Sequence, residues 1–167
     1  MGGEADPALL TLGDMLTGGV VLAGEGAAAA WRARLTPYPR ALAAAVVRRH
    51  GQIDHFWRWR MYVERGEPQR LQAHFADVAE RIVHIGCALS GVWWPGAKRV
   101  VGTAARLSVA PRDLAARFRR AAEAPPPEAA AALESLVEES YDLVAERLAE
   151  VDVQRLRAIF RFVRNPW

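Results

Sequence analysis

From Arg40 onward, apolar residues recur at three- and four-residue spacings, and the pattern breaks only where Pro or Gly falls. That periodicity is the signature of amphipathic helices. It predicts a first helix over 40–65, opened by Pro39 and stopped at Gly66-Glu67-Pro68. A second is expected over 68–89, ending at Ser90-Gly91, and a third from Pro95-Gly96 to near Leu107. Pro111-Arg112-Asp113 opens a short fourth, closed by Pro125-Pro126-Pro127, and a long fifth runs from Glu128 to about Glu150. Asp152 caps a sixth over 153–163, which Asn165-Pro166 terminates. Residues 1–27 differ: they are Gly-rich, carry one short β-like run (Val20-Val21-Leu22) and lack a helical period. The expected fold is therefore all-α, a bundle of about six helices over residues 28–167 behind an irregular lead-in at 1–27.

Helix faces refine the picture. On the first helix Leu42, Val46, Ile53, Trp57 and Met61 form one stripe, and Ala45, Phe56 and Trp59 form a second apolar side. A helix with two apolar sides is expected at the centre of a bundle. His50, Arg60 and Glu64 lie on or beside the first stripe, with Asp54 one turn after His50, giving two i,i+4 pairs, His50/Asp54 and Arg60/Glu64. With Trp57 nearby and Trp93 or Trp94 at the rim, these residues would combine apolar walls with a few polar groups, the make-up of a small-molecule pocket. Arg60 would offer donors to a phosphate or carboxylate, His50 a titratable contact and Trp57 a stacking surface. The plainer alternative is that the pairs only satisfy one another in the bundle. On the second helix Phe75, Val78, Ile82 and Leu89 form a core face, while His74, Asp77, Arg81 and His84 form a polar one. His74 and His84 are about 15 Å apart along the axis, too far to share a metal.

Composition narrows the setting. No apolar stretch approaches the roughly 18 residues that cross a bilayer, and the start MGGEADPALL lacks the basic segment of a secretory signal. The lone cysteine, Cys87, excludes an internal disulfide or a multi-Cys zinc site, suits a reducing cytoplasm, and has no basic neighbour in sequence to activate it. The cations are 21 Arg against one Lys, which with abundant Ala reads as a high-GC genome. Charge is unevenly spread: residues 32–70 hold nine Arg against three acids, and residues 123–152 hold nine acids against Arg147 alone. The two halves could complement each other within a bundle, or the basic half could face an anionic ligand such as a nucleotide. No Arg/Lys run interleaved with exposed aromatics is expected, so general nucleic-acid binding is weakly supported. The Gly18-Gly19 to Gly26 segment matches no phosphate-binding loop. Arg49 and His55 have the loose spacing of helical endoribonucleases that use a His for acid/base work, which makes an endoribonuclease toxin one alternative function and a scaffold bundle another.

Several segments together resemble a family. Thr36-Pro-Tyr-Pro39, the Arg49-His50-Gly51 to His55-Phe56-Trp57 stretch, Glu64-Arg-Gly-Glu67, and above all Ala88-Leu-Ser-Gly-Val-Trp-Trp-Pro-Gly-Ala-Lys-Arg99 are similar to the C-terminal helical domain of nucleotidyltransferase-like proteins of the aminoglycoside nucleotidyltransferase type. Ala110-Pro-Arg-Asp-Leu114 and the acidic Leu133-Glu-Ser-Leu-Val-Glu138 helix fit the same pattern, and the likeness covers roughly residues 18–167. It implies a bundle that packs on a catalytic α/β domain or subunit and helps form the acceptor-substrate cleft. A nucleotidyltransferase also needs a Gly-Ser turn for the triphosphate and an Asp-x-Asp/Glu pair for Mg2+. The chain has no Gly-Ser, and Glu4-x-Asp6 and Glu150-x-Asp152 lack the context. The expectation is thus a cytoplasmic substrate- or partner-binding domain without catalytic residues of its own. Mg2+ and the nucleoside triphosphate would belong to a missing or partner catalytic domain, and this chain would contribute a small-molecule contact.

Overall fold

The computed structural model describes residues 5–162, apart from the side chains of residues 55 and 56. Every regular element among them is helical. Nine α-helices follow in order: α1 (Pro7–Gly18), α2 (Glu25–Leu35), α3 (Arg40–His50), α4 (His55–Glu64), α5 (Pro68–Ser90), α6 (Val100–Ala104), α7 (Leu114–Glu123), α8 (Pro126–Arg147) and α9 (Val153–Phe160). A short 3-10 turn, Ala97–Arg99, leads into α6. The all-α expectation holds, and the expected count of about six does not.

Several boundaries sit where the local chemistry puts them. Pro68 and Pro126 open α5 and α8 at a first-turn position, where a missing N–H costs nothing. Gly91 ends α5 in the left-handed region, φ 67°, which relieves the last carbonyls at no Cβ cost. Asp152 Oδ1 accepts from the Arg155 amide at 3.0 Å and caps α9, as expected. The helix is shorter than the expected 153–163: it ends at Phe160 with Arg161 as its C-cap, and the expected stop at Asn165-Pro166 lies outside the described residues.

Two expectations are corrected. The expected irregular lead-in at 1–27 is helical over Pro7–Gly18 and again from Glu25: α1 is capped by Asp6, whose Oδ1 accepts from the Ala8 amide at 2.7 Å, and α2 packs against α1. Gly13, on the inner face of α1, lets the Trp93 ring lie against the helix backbone, where any Cβ would collide with it. The expected 40–65 helix is also broken. After His50 the chain leaves the helix through Gly51, whose carbonyl takes the Tyr141 hydroxyl at 2.6 Å and the Ile53 amide at 3.0 Å. A Cβ on Gly51 would lie 2.9 Å from Leu156 Cδ1, so the glycine admits α9 closely at this bend. The detour buries Ile53 almost fully.

The central element is α5 rather than the Arg40 segment. It packs against α3, α4, α6 and α8, and its residues 82–88 are buried without interruption. A helix apolar all round its circumference must be covered on every side. Helix α8 supplies the second half of the core through Leu133, Leu136, Val137, Tyr141 and Val144, and α7 and α9 flank it. Beside the apolar face of α8, Arg157 and Arg161 of the α9 region bind Glu138, and Arg117 of α7 binds Glu139 through two hydrogen bonds of 2.7 Å. The acidic character of residues 123–152 is in part matched by these nearby arginines.

Candidate functional site

The seven expected site residues do not meet in one place. His50, at the end of α3, turns into the core and stacks on His84 of α5 with centroids 3.8 Å apart and planes 16° from parallel. Trp94, also buried, lies against His84 with centroids 4.1 Å apart and planes tilted by 36°. Burial pushes the His50 imidazole down to about 4, aided by Arg81 and Arg49, although its ring is hydrogen-bonded to the Ala5 backbone. Burial, then the neighbouring His50, Arg81 and Arg49, pushes His84 down to about 3. Both rings are therefore neutral at physiological pH. Nε2 of His50 and both nitrogens of His84 lack a hydrogen-bond partner, and the closest carboxylate oxygen, Glu80 Oε1, is 3.6 Å from His84 Nε2.

Asp54 does not pair with His50, because the helix has ended and the two are no longer one turn apart. It binds Arg58 instead, Nε to Oδ2 at 2.6 Å. The Arg60/Glu64 pair does form, at 2.8 Å, but with side chains 75% and 61% exposed on the outer surface of α4. There it edges a groove of about 380 Å³ against Ala130 and Ala131 of α8, away from His50. Trp57 is half-buried beneath the Arg58 guanidinium, 5.1 Å from its ring centroid. Trp93 packs on Tyr38 at 4.8 Å and on Gly13, bordering a separate groove with α1. The two adjacent tryptophans thus anchor different layers. Of the alternative ribonuclease pair, Arg49 is exposed at the end of α3, and the His55 side chain lies outside the described residues.

The structure assembles a different polar site. Along one face of α4, Asp54, Arg58 and Tyr62 follow at four-residue spacing. Along the facing side of α5 stand Arg70, His74, Asp77 and Arg81. Together they line a cleft of about 320 Å³. Arg81 Nε binds Asp77 Oδ2 at 2.9 Å, while Nη1 makes only a long 3.5 Å contact to the Gln52 carbonyl. Arg58 also hydrogen-bonds Tyr62, and its guanidinium is held above its usual range chiefly by the Asp54 bond. At the floor His74 is buried, with Trp59 at 6.1 Å and Tyr62 at 6.2 Å.

Spacing had exposed His74, Asp77 and Arg81 as one face of α5. Arg58, Tyr62 and Arg70 are not legible as its partners, because nothing in the sequence says which helix that face meets. Among the described residues no group of three or more His, Cys, Asp or Glu is placed to hold a metal ion, and no helix is long and apolar enough to cross a membrane. Burial pushes the Cys87 thiol up to about 12, so it is protonated and inert. No protein-family model, curated protein or solved structure matches the chain.

Proposed function

We propose that the chain is a helical substrate- or partner-binding domain of a nucleotidyltransferase-like protein, non-catalytic by itself, with α1 and α2 as the surface that meets the catalytic domain. The observation that carries this reading is where the apolar surface lies. Leu9, Leu12, Met15, Val20, Leu22 and Trp31 are all more than half or about half exposed, and they fall within residues 9–31. Helix α2 buries none of its side chains. Exposed large apolar side chains concentrated in one stretch of chain point to an interaction surface, because leaving them in water is unfavourable. The resemblance of residues 88–99 to the nucleotidyltransferase helical domain supplies the class of partner. Its Trp93 sits directly behind α1, so the motif stiffens the surface that would dock.

Mixing the chain with a nucleotidyltransferase catalytic domain encoded in the same or the adjacent reading frame tests the proposal. Expected is a stoichiometric complex on size exclusion, lost in a Leu12→Asp/Met15→Asp variant that keeps its melting temperature, and nucleotidyl transfer by the mixture only. Transfer by this chain alone, or no complex with such a domain, overturns it. RNA cleavage abolished by Arg49→Ala or His55→Ala would install the endoribonuclease reading in its place.

A further inference from the structure

The cleft between α4 and α5 has a charge arrangement that a purely structural surface does not need. Three guanidiniums, Arg58, Arg70 and Arg81, line it against two carboxylates, Asp54 and Asp77. Each carboxylate takes the Nε edge of one arginine four residues away, at 2.6 Å for Asp54 and 2.9 Å for Asp77. Such i,i+4 pairs stabilise a helix only slightly. Their geometric effect is larger. With Nε held, each guanidinium plane is oriented; beyond the Arg58 contact to Tyr62 and the long Arg81 contact to Gln52, the remaining Nη hydrogens are the donors left for something else. Arg70 has no opposing carboxylate in the cleft, so one positive charge is left over, and it stands on the first turns of α5 beside the mouth.

We propose that this cleft binds the phosphate group of a small phosphorylated molecule, with Arg70, Arg58 and Arg81 as the donors and Tyr62 as the surface for the organic part. Guanidinium forks match the oxygen geometry of a phosphate, and pre-oriented forks lose less freedom on binding. The volume, about 320 Å³, is well beyond what an inorganic phosphate fills and falls at the small end of ligand pockets. Asp54 and Asp77 disfavour a polyanion that would need many contacts, because each added phosphate would also face a carboxylate. The site is separate from the α1–α2 docking surface, so either proposal can fail alone.

The test is calorimetric titration of the intact chain with inorganic phosphate, pyrophosphate, AMP and a single-stranded ten-nucleotide RNA. The parent, Arg70→Ala and Arg70→Lys are compared. Arg70 is exposed, so its removal leaves the fold in place, and an unchanged melting temperature checks that. Expected is saturable binding of AMP with Kd below roughly 1 mM and tighter than that of pyrophosphate, weakened about tenfold or more by Arg70→Ala and partly restored by Arg70→Lys. No binding in that range, equal binding by the parent and Arg70→Ala, or binding confined to RNA overturns the proposal.

Discussion

His50 and His84 come from two different helices, α3 and α5, and lie ring on ring at 3.8 Å with Trp94 against His84 at 4.1 Å. Neutral imidazoles stack well, whereas two imidazolium rings at that distance would repel in a low-dielectric site beside Arg81 and Arg49. This pair makes the fold sensitive to acid. In the unfolded chain both histidines protonate near 6.5, while in the folded chain they resist until about 4 and 3. The unfolded state then binds more protons throughout that window. Stability is therefore full above about pH 6.5 and lost progressively as pH falls towards 3. Asp77 opposes the trend at His50, and Glu80, whose carboxyl is held above its usual range mainly by burial, favours the folded state slightly as pH drops. Thermal melts from pH 7.5 to 4 should show a steep fall below pH 6. In His84→Leu the acid limb should flatten and the neutral-pH stability should stay within about 1.5 kcal/mol of the parent, since unpartnered polar nitrogens are exchanged for an apolar group of similar volume. An unaltered acid limb in that variant would count against the pair.

Gly13 and Trp93 make the second prediction. The indole occupies the space a Cβ would need, so Gly13→Ala must push either the ring or the helix away. A cost of about 1–3 kcal/mol is expected from such overpacking, even though alanine is the better helix former. Hydrogen exchange should show protection lost in α1 and retained in α5. Gly18→Ala, with open space around it, should be neutral or stabilising by comparison.

Arg60→Ala should change stability by no more than about 0.5 kcal/mol, as for other exposed i,i+4 pairs. Had the pair been buried, removal of one partner would have cost about 3–5 kcal/mol. Chemical denaturation of the single variant distinguishes the two, and a large loss would contradict the outward placement of α4's Arg60 face.

Tyr141→Phe removes the hydroxyl that donates to the Gly51 carbonyl at 2.6 Å in a site with no solvent access to the ring. The carbonyl keeps its bond from Ile53, so the loss should be about 1 kcal/mol rather than the full penalty of an unsatisfied group. The effect should localise to the bend between α3 and α4, read by exchange at Ile53 and its neighbours.

How much of this was legible beforehand differs from element to element. The helices α5, α7, α8 and α9 announce themselves, because Pro68, Pro126 and Asp152 open α5, α8 and α9, Gly91 closes α5, and the apolar spacing between such marks has one reading. Local chemistry of that sort acts within a few residues and survives in any context. The break at Gly51 left no such mark: nothing in His50-Gly51-Gln52-Ile53 forbids a continuous helix, and the bend exists because Tyr141, ninety positions away, takes the Gly51 carbonyl and Ile53 finds a core to enter. Helix α1 does carry local marks, the Asp6 cap and Pro7 in its first turn, but Gly13 and Gly18 within it and Gly19 after it blur the pattern, and only packing shows that Gly13 is there to seat Trp93. The expected cluster of His50, Asp54, Arg60 and Glu64 dissolved with that bend, which turned His50 inward and left Arg60 outward. Which side chains share a helix face is a property of the sequence. Which faces meet, and hence that Asp54, Arg58 and Tyr62 stand opposite Arg70, His74, Asp77 and Arg81, is decided only by packing, where contacts between residues far apart in the chain outweigh the small energies of local preference.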